Sequence, residues 1–218
     1  MAAALNDLVQ ALDNASSAGE LILAVRRLAA SHDPAAISPL IQVLSYNNPG
    51  AAVAAVDGLV AQGAAAVDPL LNELDGHNYS ARAWAIRALA LIADPRALNI
   101  LLEAAGDFAL SVRRAAVKGL GSLHWQALSP TEAAASQRQA LATLLSALDD
   151  PEWVVRYATV VGLETLAPAL AEAELEALKA GLQQTQTADE TLGVRVRSQL
   201  ALSRLTGQPS APKPTAAP

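Results

Sequence analysis

Tyr79-Ser80-Ala81-Arg82-Ala83-Trp84-Ala85-Ile86-Arg87-Ala88-Leu89 decides the fold, because the chain repeats its pattern. The pattern returns as Ser111-Val112-Arg113-Arg114-Ala115-Ala116-Val117-Lys118-Gly119-Leu120, and again as Val155-Arg156-Tyr157-Ala158-Thr159-Val160-Val161-Gly162-Leu163. In each copy an arginine opens an apolar segment and a leucine follows seven residues later. Aligned on that leucine, the copies end at Leu28, Leu59, Leu89, Leu120, Leu163 and Leu202, in steps of 31, 30, 31, 43 and 39 residues. Near-constant steps of this size mark a stack of supersecondary units, each too small to bury its own apolar face. Seven residues before the leucines stand Leu21, Ala52, Arg82, Arg113, Arg156 and Arg195, so the last four copies carry the arginine and the first two do not.

Each unit is expected to be two antiparallel helices. The first is apolar at spacings of three and four, as in Ile37, Leu40, Ile41 and Leu44, or Val67, Leu70, Leu71 and Leu74. The turns that follow are Tyr46-Asn47-Asn48-Pro49-Gly50, Gly76-His77-Asn78-Tyr79, Gly106-Asp107-Phe108 and Asp149-Asp150-Pro151, each containing glycine or proline. A second turn type, His32-Asp33-Pro34 and Asp94-Pro95, places a helix-capping aspartate before proline. These patterns predict an all-α protein: an α-solenoid of about six helix pairs over residues 1–206, with a Pro/Ala-rich flexible tail over 207–218. The 43-residue step holds an insertion, about Leu123 to Arg138, in which Ser129-Pro130-Thr131-Glu132 suggests a capping box with Ser129 or Thr131 as cap.

Composition excludes several functions. The net charge of −6 argues against nucleic acid and anionic membranes as partners. No cysteine is present, so the chain offers no disulfide, thiolate metal site or cysteine nucleophile. The start of the chain lacks the basic segment of a secretory signal, and every long apolar run is interrupted by charged or polar residues, so a cytoplasmic location without membrane insertion is expected. His32, His77 and His124 show no metal-ligand spacing, so no metal site is expected.

Two groups of residues stand out. The repeated arginines either brace one repeat against the next or bind anions on the concave face that such helices line. Arg82 and Arg87 flank Trp84, and Arg113 and Arg114 lie one repeat on. The second group is at the turns: Tyr46, Asn47, Asn48, His77, Asn78, Tyr79, Asp107, Phe108 and Trp153. Asn and Asp there suit ordinary turn chemistry. The aromatics are a different matter: of seven in the chain, four lie at or beside these turns, which points to an apolar surface for a ligand or partner. Asp57, amid Ala and Val of a motif helix, is either an inter-repeat partner for arginine or a functional carboxylate.

Tyr46 to Leu59, Tyr79 to Leu89 and Asp107 to Gly121, read as continuous runs, resemble the phycobilin lyases of the E/F type, and among them the F-type subunits of phycocyanobilin lyases. The similarity extends from about Leu21 to Leu205. The resemblance implies a solenoid of HEAT-like repeats that works as a heterodimer with a homologous E subunit. It implies attachment of phycocyanobilin by a thioether to a cysteine of the phycocyanin α subunit, with transfer or removal also possible. A non-catalytic adaptor, or a partner that only stabilises the E subunit, is the rival reading. Isomerising relatives carry Asn-His-Cys-Asp, which aligns with Asn47-Asn48-Pro49-Gly50; the missing His and Cys imply attachment without isomerisation. No cofactor is implied, and phycocyanobilin enters as a substrate held non-covalently. On this reading Arg82, Arg87 and Arg113 meet the bilin propionates, Tyr46, Tyr79 and Trp84 stack on its rings, and Asp57 or Asp107 accepts from pyrrole nitrogens. Asn78 joins the same contacts, and His77 or Tyr79 is the candidate general acid near ring A, with Asp57 a further catalytic candidate.

Overall fold

Twelve α-helices and no strand are found among residues 2–72 and 79–207, which this computed structural model describes. They form six successive pairs: α1 (Ala2–Asp13) with α2 (Ala18–Ala29), α3 (Ile37–Val43) with α4 (Pro49–Gln62), and α5 (Val67–Asn72) with α6 (Tyr79–Ile92). The second half continues with α7 (Leu98–Ala104) and α8 (Leu110–Ser122), α9 (Pro130–Ser146) and α10 (Trp153–Leu166), then α11 (Glu172–Ala188) and α12 (Leu192–Leu205). The expected all-α solenoid of six pairs is the observed architecture. His77, Asn78 and residues 208–218 lie outside the described residues, as does the side chain of Tyr79.

Local chemistry sets the helix starts. Asn48 caps α4 by accepting from the Ala51 amide at 3.0 Å, with Pro49 at the first helical position. Ser129, one of the two expected caps, opens α9 in a reciprocal box with Glu132. Asp33 and Asp94 accept from the amides of Ala35 and Arg96 at 2.9 Å each, and each starts a 3-10 turn that leads into α3 or α7. Among the described residues, three at these connections have positive φ: His32 at 50° before the Asp33 turn, Gly63 at 58° in the turn before α5, and Ala93 at 60° before the Asp94 turn. Only glycine takes that geometry without a Cβ penalty.

The second helices of the pairs (α2, α4, α6, α8, α10 and α12) pack on one another in order as one layer. The six closing leucines are its spine, all of them buried. Small residues set the spacing. A Cβ on Gly58 would sit 2.6 Å from the Ala29 Cβ, and one on Gly119 would sit 2.6 Å from the Ala90 Cβ. The closest approach is α8 on α10, where a Cβ on Gly121 would fall 2.1 Å from the Gly162 carbonyl oxygen and one on Gly162 2.3 Å from the Val117 carbonyl oxygen.

The insertion is part of the solenoid. The His124 amide donates to the Ala93 carbonyl at 2.8 Å, which ties it to the preceding repeat. Trp125 then enters the core, and the remaining length makes α9 a 17-residue helix. One stretch bears on the expectation that no segment enters a membrane. The run Pro49–Asn72 is long and apolar enough by composition to cross a membrane. In the structure it is α4 and α5, with the chain turned at Gly63 between them, and half of its most apolar window is buried by the rest of the protein.

Candidate functional site

The repeated arginines form a ladder along the turns that precede the second helices. Nε of Arg113 donates to Oδ2 of Asp150 at 2.7 Å and Nη2 donates to Oδ1 at 3.1 Å. Nη1 of the same side chain donates to the carbonyls of Asp107 and Phe108, in the turn before α8. Arg156 repeats the arrangement one unit later. It pairs with Asp189 at 2.7 and 3.1 Å and donates to the carbonyls of Asp150 and Pro151. Arg82 starts the series, with Nε on Asp107 at 3.2 Å and Nη2 on Glu103 at 3.1 Å. Arg195 ends it, donating to the Asp189 carbonyl at 2.7 Å. Each ladder aspartate also caps its own turn: Asp107, Asp150 and Asp189 accept from the amides of Ala109, Glu152 and Thr191. In the first two repeats, which lack the arginine, Nδ2 of Asn48 reaches the Ala18 carbonyl at 3.3 Å instead.

The electrostatics of the ladder follow from its geometry. The Asp150 carboxylate beside Arg113 raises that guanidinium above its ordinary range, and Asp189 does the same for Arg156. Burial pushes the Asp189 carboxyl up, but the Arg156 hydrogen bonds and the Thr191 amide outweigh it and hold the group below its ordinary value. Bidentate pairs of this kind link repeat to repeat with fixed geometry.

This placement corrects part of the expected site. Arg82, Arg113 and Asp107 were expected to meet a ligand, but their polar atoms are committed to one another and to neighbouring turns. The bracing alternative describes these arginines. Asp57 stands exposed on α4 and makes no ion pair among the described residues. It lines a separate cavity of about 240 Å³ with Arg26 and His32, between α2 and α4. Tyr46, Phe108 and Trp153 are all exposed at their turns, so the turn edge does present aromatic surface.

Trp84 and Arg87 belong to a different feature. They lie on α6, with the Arg87 guanidinium 5.6 Å from the centre of the Trp84 ring, a cation–π pair one helical turn apart. Together with α8 they line a groove of about 440 Å³. Arg114 and Lys118 form the facing wall, with Leu91, Ala83 and Ala115 supplying apolar surface. Arg87, Arg114 and Lys118 are exposed, and none makes an ion pair among the described residues. In a chain of net charge −6, three unneutralised cations around an indole are a local reversal of sign. Glu103 and Asp107, the nearby acids, are held in the ladder by Arg82.

Arg114 was noted only as the neighbour of Arg113 among the repeated arginines, and Lys118 was not among the candidate residues. The signal for them lies in the register. Lys118 precedes its closing leucine by two positions, as Arg87 does, and Arg114 precedes it by six. Those positions, four apart, share one helix face. The arginine seven before the leucine instead points to the turn edge, where the ladder takes it up.

The second-helix layer of this helical-repeat solenoid thus carries a cationic groove lined in part by an indole. A HEAT repeat model matches residues 67–164. The phycocyanin alpha phycocyanobilin lyase CpcF of Synechocystis sp. is 58% identical over 161 residues, covering 73% of this chain and 75% of that protein. The phycocyanobilin lyase subunit beta of Pseudanabaena tenuis is 52% identical over 206 residues, covering 92% of this chain and 73% of that protein. In the solved complex of CpcE and CpcF of phycocyanin lyase from Nostoc sp., one chain is 47% identical, with a TM-score of 0.74 over 78% of this chain and 99% of that one. The chain belongs to the family of phycocyanobilin lyase β subunits.

Proposed function

We propose that this chain is the β (F-type) half of a heterodimeric lyase that attaches phycocyanobilin to a cysteine of the phycocyanin α subunit. The observation that carries the reading is near-full-length identity of about half to relatives named as that subunit, combined with a groove suited to a bilin on α6 and α8. A homologous E subunit completes the enzyme, as the solved complex of relatives pairs such chains. In the reaction the acceptor thiol adds across the ethylidene double bond of ring A. Its sulfur forms the carbon–sulfur bond and its proton is delivered to the bilin, so nothing is oxidised or reduced. Positioning the bilin against the thiol supplies much of the rate enhancement. His77 or Tyr79 is the proposed proton donor, with Asn78, between them in sequence, a bilin contact; Tyr46 and Asp57 are proposed to act on the adjacent repeat.

With no cysteine of its own, the chain is proposed to hold phycocyanobilin non-covalently, as a substrate, and to use no cofactor. Asn47-Asn48-Pro49-Gly50, with Asn48 spent on capping α4, lacks the His and Cys of isomerising lyases, so the bilin is attached without isomerisation. The work takes place in the cytoplasm, where apo-phycocyanin is made. Purified chain, E partner, phycocyanobilin and apo α-phycocyanin are expected to yield an acid-stable, zinc-fluorescent α chain. No adduct from the pair would sink the lyase reading, and full activity from E alone would leave this chain a stabilising partner.

A further inference from the structure

We infer that the α6–α8 groove is a dicarboxylate clamp, in which Arg114 and Lys118 on one wall and Arg87 on the other hold the two bilin propionates while Trp84 supports the tetrapyrrole plane. The inference deepens the lyase reading and rests on it for the identity of the ligand. Arg114 and Lys118 are four residues apart on one helix, so their Cα atoms are separated by about 6 Å along the axis. That spacing presents two cations side by side, the arrangement two neighbouring propionates need. Arg87 approaches from the opposite helix, positioned over Trp84. The volume of about 440 Å³ lies within the range of small-molecule pockets.

These cations differ from most others on the surface; Arg26 and Arg27 on α2 also make no ion pair among the described residues, but they stand outside the groove and its indole. Arg82, Arg113 and Arg156 already hold carboxylates of the protein. Arg96 is likewise taken by Asp68 and Asp94. The groove cations make no such pair among the described residues, although the chain has an excess of acids. Three like charges around one groove repel one another, and an incoming dianion relieves that repulsion. The apolar lining from Trp84 and Leu91 explains why the ligand is not inorganic phosphate: a small hydrated anion gains nothing from an indole face.

Phycocyanobilin and its propionate dimethyl ester are titrated into the heterodimer, with bilin absorbance as the binding readout and α-chain adduct formation measured separately. For the wild-type pair the free acid binds at least about tenfold tighter than the ester, the scale of one lost charge-assisted contact. In Arg114→Gln and in Lys118→Gln the free-acid affinity falls about tenfold toward that of the ester, while ester affinity holds. Arg27→Gln, an exposed cation away from the groove, changes neither. Equal affinity of acid and ester for the wild type would overturn the clamp, as would groove variants that leave free-acid affinity intact or weaken both ligands alike. Binding with this discrimination but no adduct would remove the lyase reading and leave the clamp standing. Adduct formation without discrimination would do the reverse.

Discussion

The Arg113 guanidinium and the Asp150 carboxylate meet in a two-point pair, at 2.7 and 3.1 Å, across the boundary between the fourth and fifth repeats. Both side chains are largely buried, at 13% and 8% exposure, so removing one partner strands a charge. Arg113→Ala is therefore expected to cost about 3–5 kcal/mol. Arg114→Gln, the adjacent residue on the groove wall, should stay within about 0.5 kcal/mol of wild type. Urea midpoints measure both. Equal midpoints would mean that the ladder does not hold the repeats together.

The same ladder sets the behaviour in acid. Asp189 binds a proton less readily in the folded protein than at its ordinary value of 3.8. The stability it confers is complete above that value and is lost as pH falls through the lower folded value. Asp189→Asn should thus lower stability at neutral pH and flatten the acid decline below about pH 4. An unchanged slope in thermal melts across that window would count against the pair.

Gly162 lets α10 lie against α8. A Cβ there would fall 2.3 Å from the Val117 carbonyl oxygen, which is backbone and cannot swing aside. Gly162→Ala is expected to destabilise the protein by several kcal/mol, on the order of a severe core overpacking. Gly193→Ala meets nothing within 4 Å and should be neutral or better. Circular-dichroism melts of the two variants separate a packing requirement from a general need for glycine.

The three tryptophans occupy distinct settings: Trp84 in the groove, Trp125 in the core and Trp153 exposed at the start of α10. Bilin binding should quench mainly Trp84. Trp84→Phe is expected to remove most of the bilin-induced loss of fluorescence, whereas Trp153→Phe keeps it. Quenching that survives Trp84→Phe would place the bilin elsewhere.

The repeat was legible because burial enforces it. The closing leucines, from Leu28 to Leu202, are core positions, and any polar residue there would be costly. Turn chemistry was equally clear, since Asp33, Asp94, Asn48 and Ser129 cap helices by local hydrogen bonds. The arginines were visible as a pattern, but their partners were not: Asp150 and Asp189 lie 37 and 33 residues beyond Arg113 and Arg156, and only the packed repeat brings them together. For the same reason the groove was half seen. Trp84 and Arg87 stand out within α6, whereas Arg114 and Lys118 gain their meaning from a neighbouring helix. Asp57, unusual in its own helix, turns out to face a different cavity.

On the lyase reading this chain is an obligate half of the catalyst. The most direct measurement holds the E subunit fixed, adds increasing amounts of this chain, and follows the initial rate of bilin attachment to apo α-phycocyanin. The expected rate is negligible without the chain, rises in proportion to it, and levels off at one chain per E subunit. A rate that does not depend on the chain, or that never reaches a plateau at that ratio, would contradict it.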